Sequence, residues 1–301
     1  MRKKLPMFFL TQLLLTDLVV GCNNVAEDPG TTGDEGQGPA EDTEEPSPEE
    51  YPLDEDEINT VQYDTTPEMQ GGSERDVRDP NPVSNVELHN TFPDIVTLQG
   101  PSEERNVALT FDDGPDDVVT PAVLDKLNEY DIEATFFLIG ERVEAHPEVV
   151  ERILDEGHVV ANHSWNHPEF PEISYEDAEQ QINRTETALQ DVTGEEVRLF
   201  RPPYGAQTED HVQIMDELDY SNIIWSQDSL DWKDLEVEEV ADNILSDISY
   251  GAIVLQHSAG LEGDEGLMVT VDALDKVIPA LQEDDVEFVT VDELLDIPAY
   301  R

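Results

Sequence analysis

Cysteine is almost missing from this chain: Cys22 is the only one in 301 residues. An intrachain disulfide is therefore excluded, and any folded domain must be held by its core alone. Positive charge is nearly as scarce, with 15 Lys+Arg against 72 Asp+Glu and a formal net charge of −57. That balance excludes nucleic acid as a partner, because phosphate binding draws on clustered Lys and Arg. Long apolar runs are scarce too. The mostly apolar stretch over residues 5–20 falls short of the ~20 residues that a membrane-spanning helix needs.

The acid is spread along the whole chain. Residues 23–100 hold 21 acidic and 2 basic side chains, and residues 101–301 hold 50 and 10, a net −40 in the second segment. A folded domain with that charge repels itself in dilute buffer, but it becomes tolerable where the Debye length has fallen to ~3 Å, at about 1 M salt. In this respect the chain resembles proteins of salt-loving organisms.

Arg2, Lys3 and Lys4 precede the apolar stretch and give it the basic flank of a secretory signal, although Asp17 inside it is unfavourable. The stretch ends in Val19-Val20-Gly21-Cys22, small residues before a lone cysteine, which resembles a lipoprotein processing site with Cys22 lipidated. Residues 1–22 are thus expected to be a signal peptide, and the protein to be extracytoplasmic, lipid-anchored to the outer face of the cell membrane or secreted. Contact with the membrane would be through the lipid anchor only. Residues 23–85 are rich in Glu, Asp, Gly, Pro and Thr, with few aliphatics to bury, and read as an acidic disordered tether. About 60 such residues span on the order of 45 Å. The folded catalytic domain is placed at 86–301, with residues 86–99 as a possible first edge element.

From residue 106 onward short apolar runs alternate with amphipathic stretches. The runs lie at 107–111, 134–139, 158–161, 198–200, 221–225, 252–255 and 287–289; helical spacing covers 121–130, 147–156, 175–193 and 208–218. The alternation predicts an α/β fold with a parallel sheet and helices outside. Seven units in about 200 residues are too few for an eight-fold barrel, so a distorted, incomplete (β/α) barrel of about seven parallel strands is expected, with its chemistry where strands end.

Five segments at such ends carry reactive side chains. In Ala108-Leu109-Thr110-Phe111-Asp112-Asp113-Gly114-Pro115 a buried strand delivers two adjacent carboxylates to a turn. Asp-Gly-Pro is also a common strand terminator, but one carboxylate could hold a metal while the other moves a proton. In Asn162-His163-Ser164-Trp165-Asn166-His167 two histidines four apart would project from one side of a helical turn and could chelate one cation together with a carboxylate. Leu199-Phe200-Arg201-Pro202-Pro203-Tyr204-Gly205 locks a scarce arginine between a strand and two prolines, where it could hold a carboxylate ionised or form a structural ion pair. Ser226-Gln227-Asp228-Ser229-Leu230-Asp231-Trp232 is the fourth. In the fifth, Ile253-Val254-Leu255-Gln256-His257-Ser258, a histidine closes an apolar strand. His146 and His158 are left outside the site.

In this order the five segments resemble the polysaccharide deacetylases of carbohydrate esterase family 4, over roughly residues 104–297. The resemblance implies Asp113, His163 and His167 as the metal triad for one divalent ion, most often Zn2+, with Co2+ or Ni2+ as alternatives. It implies Asp112 as the general base held by Arg201, and His257 as the general acid tuned by Asp228. Trp232 and Leu255 would wall the acetyl pocket, and the Tyr204 backbone N–H would stabilise the oxyanion. The implied reaction is hydrolysis of acetyl groups from N-acetylated glycans, chitin oligomers or cell-wall N-acetylglucosamine. The alternatives are an O-acetyl esterase on xylan-like polymers and a glycan-binding envelope lipoprotein without turnover.

Overall fold

A computed structural model describes Met69 and residues 84–246, 248–260 and 267–301. The apolar leader, Cys22 and all of the segment 23–85 except Met69, Ser84 and Asn85 lie outside these residues. A helix α1 (Ser84–Thr91) comes first among the described elements and leads to a two-residue strand β1 (Val96–Thr97) at the edge of a sheet. The further strands are β2 (Asn106–Asp112), β3 (Thr135–Leu138), β4 (Val159–Asn162), β5 (Leu199–Phe200), β6 (Ser221–Ile223), β7 (Gln227–Asp228), β8 (Ile253–His257) and β9 (Glu287–Phe288). They form one curled half-barrel in the order β1-β6-β5-β4-β3-β2-β8-β7, with β9 beside the start of β2, and every ladder between them is parallel. All seven expected runs became strands. The two additional ones, β1 and β7, are edge strands of two residues, too short to show a period.

The alternation along each strand sorts side chains into two cores. Leu109, Phe111, Phe136, Leu138, Val160, Phe200 and Val254 face outward to the helices. Ala108, Phe137, Val159, Ala161, Leu199, Ile223 and Ile253 face the barrel interior. Because successive side chains point to opposite faces, a strand covered on both sides must be apolar throughout, and β2 is buried from Val107 to Asp112. The outer layer is made by α2 (Val119–Tyr130), α3 (Gly140–Ala145), α4 (Pro147–Asp155), α5 (Tyr175–Thr193), α6 (Glu209–Glu217), α7 (Val237–Leu245) and α8 (Met268–Glu283). Helix α5 is delimited as its sequence dictates. The Ser174 side chain accepts from the Asp177 N–H, and Gly194 ends the helix at φ 75°. A short helix α9 (Val291–Leu295) sets Val291 and Leu294 among the interior residues and closes the barrel floor. Among the described residues, no helix is long and apolar enough to cross a membrane.

Candidate active site

The register of the sheet brings the reactive residues together. Asp112 at the end of β2 is paired with His257 at the end of β8, and β4 and β5 end beside them at Asn162 and Phe200. On β2, Ala108, Thr110 and Asp112 share the inward face by period 2, and Leu255 of β8 lies opposite Thr110, one layer below His257. Leu255 is buried, whereas Trp232 is half-buried on the turn Asp231–Lys233 with the Lys233 ammonium 4.7 Å from its ring centre.

Asp113, His163 and His167 converge, all three buried, with their ligand atoms within 4.8 Å of one another. Asp113 Oδ1 stands 3.2 Å from His167 Nε2 and 3.4 Å from His163 Nε2. Ligands about 2.0–2.2 Å from a tetrahedral zinc stand about 3.3–3.6 Å apart, so the spacing suits such an ion. Asp113 Oδ1 and His167 Nε2, 3.2 Å apart, are both buried without a hydrogen-bond partner, a costly state that a cation at this point would relieve. The His163 Nδ1–H donates to the Arg201 carbonyl at 2.8 Å, so Nε2 is the nitrogen that faces the triad. Burial lowers this imidazole, but the Asp112 and Asp113 carboxylates outweigh it and raise it above its ordinary value, so a cation would take the place of the Nε2 proton. Burial alone would raise the Asp113 carboxyl, but the surrounding imidazoles outweigh it and hold the group far below the usual carboxylate range. Burial pushes the His167 imidazole down to about 3 despite Asp113, so the ring is neutral and able to ligate.

The histidine pair is not on a helical turn, as its spacing of four had suggested. Residues 163–168 form an irregular loop in which Ser164 and His167 take left-handed φ values of 68° and 58°. Asp113 at φ 71° and Tyr204 at φ 59° are left-handed as well. Each such conformation costs a residue with a side chain about 1–2 kcal/mol, and strain of this kind persists where surrounding bonds over-determine it. Here the Ser164 N–H donates to Asn162 Oδ1, the His167 N–H to Ser164 Oγ, and Arg142 Nη1 to the Asp113 carbonyl at 2.9 Å.

Arg201 fills the barrel below the carboxylates and is fully buried. Its Nη1 donates to Asp112 Oδ1 at 2.6 Å and to Thr110 Oγ1, its Nε to the Ile223 carbonyl, and its guanidinium lies 4.0 Å from the Phe137 ring centre. The partner expected for His257 needs correction. Asp228 sits on the edge strand β7, where its Oδ1 accepts from the Leu230 N–H. The 3₁₀ turn that follows instead swings Asp231 beneath the histidine. Its Oδ1 accepts from His257 Nδ1 at 2.7 Å, and its Oδ2 accepts from the His257 N–H and the Thr270 hydroxyl. Burial would raise the Asp231 carboxyl; His257, then Thr270, more than offset that and lower it, so the group is a fixed anion. With Nδ1 engaged, Nε2 is the ring nitrogen on the side away from Asp231.

Arg142 was not singled out from sequence. It is fully buried on α3, and its guanidinium joins the carbonyls of Asp113 and Gly260, tying the loop after β2 to the loop after β8. Its scarcity value was the available signal, as one of only ten basic residues after residue 100, set between the apolar Ile139 and Val143.

A curled parallel half-barrel with a buried Asp-His-His cluster and an anchored carboxylate and imidazole beside it defines a hydrolase site. The family model described as polysaccharide deacetylase matches residues 99–223. A peptidoglycan-N-acetylglucosamine deacetylase of Bacillus cereus is 38% identical over 204 residues, 68% of this chain and 73% of the relative. A peptidoglycan-N-acetylglucosamine deacetylase of Listeria monocytogenes is 40% identical over 190 residues, 63% of this chain but 39% of that longer relative. The crystal structure of a peptidoglycan N-acetylglucosamine deacetylase in complex with a naphthyl N-oxidanyl-benzamide superposes with a TM-score of 0.65 at 38% identity, covering 68% of this chain and 94% of that one. The chain belongs to the polysaccharide deacetylase family and is a deacetylase of that group.

Proposed function

We propose that the protein removes acetyl groups from N-acetylglucosamine units of a cell-wall glycan, with one divalent cation held by Asp113, His163 and His167. The observation that carries this reading is the pair of charge-anchored groups flanking the triad: Asp112 on Arg201, and His257 on Asp231. A glycan-binding protein without turnover has no need of either. Two imidazoles and a carboxylate suit zinc, and cobalt or nickel would accept the same donors. When bound, the cation would polarise the acetyl carbonyl and make water acidic enough to attack near neutral pH.

This chain's own residues supply the rest. Asp112 Oδ2, 3.8 Å from His163 Nε2, faces the triad and takes the proton of the attacking water while Oδ1 stays on Arg201. The new C–O bond turns the carbonyl oxygen into an oxyanion, to which the Tyr204 N–H would donate. His257 Nε2–H then protonates the amide nitrogen, the C–N bond breaks, and acetate and a free glucosamine amine leave. Asp231 holds the His257 ring in the orientation this transfer requires. Base and acid of this kind contribute about 10²–10⁴-fold each. Leu255 and Trp232 line the space for the acetyl methyl. Lipidation of Cys22 on the outer face of the membrane, with an acidic segment before the domain, would let the enzyme reach a surrounding polymer; the names of the relatives support a cell-wall substrate.

Acetate release from N-acetylglucosamine oligomers and from peptidoglycan, in molar salt with and without chelator, tests the reading. Release that chelator stops and zinc restores is expected. Release insensitive to chelator overturns the metal assignment, and release from O-acetylated xylan alone overturns the substrate.

A further inference from the structure

The helix Ser84–Thr91 lies ahead of the segment 99–223 that the family model matches, yet it reaches the site. Asn85 is 4% exposed, and its Nδ2 donates to the Gly205 carbonyl at 2.8 Å. Its Oδ1 accepts from Gln207 Nε2 at 3.1 Å, and Gln207 Oε1 accepts from Asn222 Nδ2 at 2.6 Å. Three buried amides therefore form one directional chain from β6 to the turn after Arg201. Reversing Asn85 or Gln207 would set oxygen against oxygen and nitrogen against nitrogen, and reversing Asn222 would set its oxygen against Gln207 Oε1, so each orientation is fixed by its neighbours.

The turn at the end of this chain is strained. Tyr204 (φ 59°, ψ 6°) and Gly205 (φ 63°) are successive left-handed residues, a combination disfavoured for a side chain as large as tyrosine. Backbone bonds from the Gly205 N–H to the Pro202 carbonyl and from the Ala206 N–H to the Pro203 carbonyl close it, so residues 202–206 move as one unit. A Cβ on Gly205 would stand 2.5 Å from the Trp225 ring and 3.2 Å from Asn85 Nδ2, which shows how closely helix and turn are packed. On its other side the turn touches the metal triad: the Tyr204 ring meets His167 edge-on, 4.4 Å between centres.

We propose that Asn85 is a positioning residue of the deacetylase, its hydrogen bond to the Gly205 carbonyl holding the Tyr204 turn so that the Tyr204 N–H points at the developing oxyanion. The inference rests on the oxyanion role given to Tyr204 above. It makes the helix Ser84–Thr91 a working part of the active site. Misplacing one oxyanion donor by about an ångström lowers turnover by about 10–10²-fold, and it leaves ground-state binding nearly unchanged.

The test is Asn85→Asp in the full chain in molar salt, an isosteric change that removes the donor. Three quantities are read: kcat and KM on N-acetylglucosamine oligomers, affinity for a methylphosphonamidate that mimics the tetrahedral intermediate, and Tm. The expected result is a fall in kcat of about tenfold or more with KM within about twofold, and an equal loss of affinity for the analogue. A merely structural residue would lower Tm and the folded fraction while leaving the kcat and analogue affinity of folded molecules intact, and that outcome overturns the proposal. Should Asn85→Asp fail to fold, Gln207→Met, which keeps Asn85 but removes its brace, must show the same kcat-selective loss or the proposal falls. A wild-type protein that neither deacetylates nor binds the analogue would instead overturn the oxyanion reading beneath it.

Discussion

The mouth and the floor of the half-barrel are built on opposite principles. At the floor, Ile253, Val291, Leu294 and Ala299 pack apolar side chains against one another. At the mouth, about 10 Å away along strands of four to seven residues, Asp112, Asp113, His163, His167, Arg201, Asp231 and His257 are all buried as polar or charged groups. Asp113, Ser164, His167 and Tyr204 take left-handed backbone there as well. Buried ion pairs add little net stability and much geometry, whereas apolar burial does the reverse. The protein thus keeps its chemistry and its cohesion at different ends of the same strands, and substitutions at the two ends should separate activity from stability.

The largest separation is expected at Asp112→Asn. The side chain keeps its size, and Oδ1 can still accept from Arg201, but the base is lost. Acetate release per folded molecule should fall by about 10³-fold or more while zinc affinity stays close to wild type, and Tm drops because Arg201 keeps its buried charge without a counter-ion. Zinc binding followed by isothermal titration, beside acetate assays, checks this; substantial retained turnover would remove Asp112 from its role. At the other end, Leu294→Ala should cost about 3 kcal/mol in denaturant unfolding through the cavity it leaves beside Gly100 and Val291. Its activity per folded molecule should be unchanged. A floor variant that lost activity while folded would break the division between the two ends.

How much of this division was legible in the sequence follows from the physics of each element. The central strands announced themselves because burial on both faces demands an unbroken apolar run. Asp113, His163, His167, Asp112 and Arg201 stood at the ends of those runs, and the structure brings all five together. Strands β1 and β7, two residues each, have no period to read. The helical geometry expected of the histidine pair failed because Ser164 and His167 are left-handed, and neither is a glycine that would have advertised it. The choice between Asp228 and Asp231 was undecidable by composition. Both flank the same loop, and only the 3₁₀ turn over Asp231–Lys233 decides which carboxylate reaches His257. Asn85 and Arg142 act through backbone carbonyls of distant segments, contacts that no local pattern encodes.

That correction carries a prediction of its own. Asp231→Asn, which replaces the anion under His257 by a neutral amide, should lower kcat by about 10²-fold with KM little changed, while Asp228→Asn should change it by less than about threefold. Equal losses in the two variants would put Asp228 back in the site.

The smallest effect contrasts a histidine of the mouth with one near the floor. His158 precedes β4, and its Nδ1 accepts from the Ala134 N–H, so the neutral ring carries its proton on Nε2. Burial first, with Arg152 adding to it and Glu156 opposing, pushes this imidazole down from 6.5 to about 4. Between those two values the unfolded chain takes up a proton that the native ring refuses, so stability falls as pH drops from about 6.5 to about 4 and levels off below. At pH 5 the loss from this group is about 2 kcal/mol; at pH 8 it is nil. His158→Asn keeps an acceptor for Ala134 but cannot titrate. The stability difference between wild type and this variant, from urea unfolding in molar salt, should therefore swing by about 2 kcal/mol in the variant's favour from pH 8 to pH 5. A pH-independent difference would mean that His158 is protonated in the folded protein, and the floor would then hold a buried charge just as the mouth does.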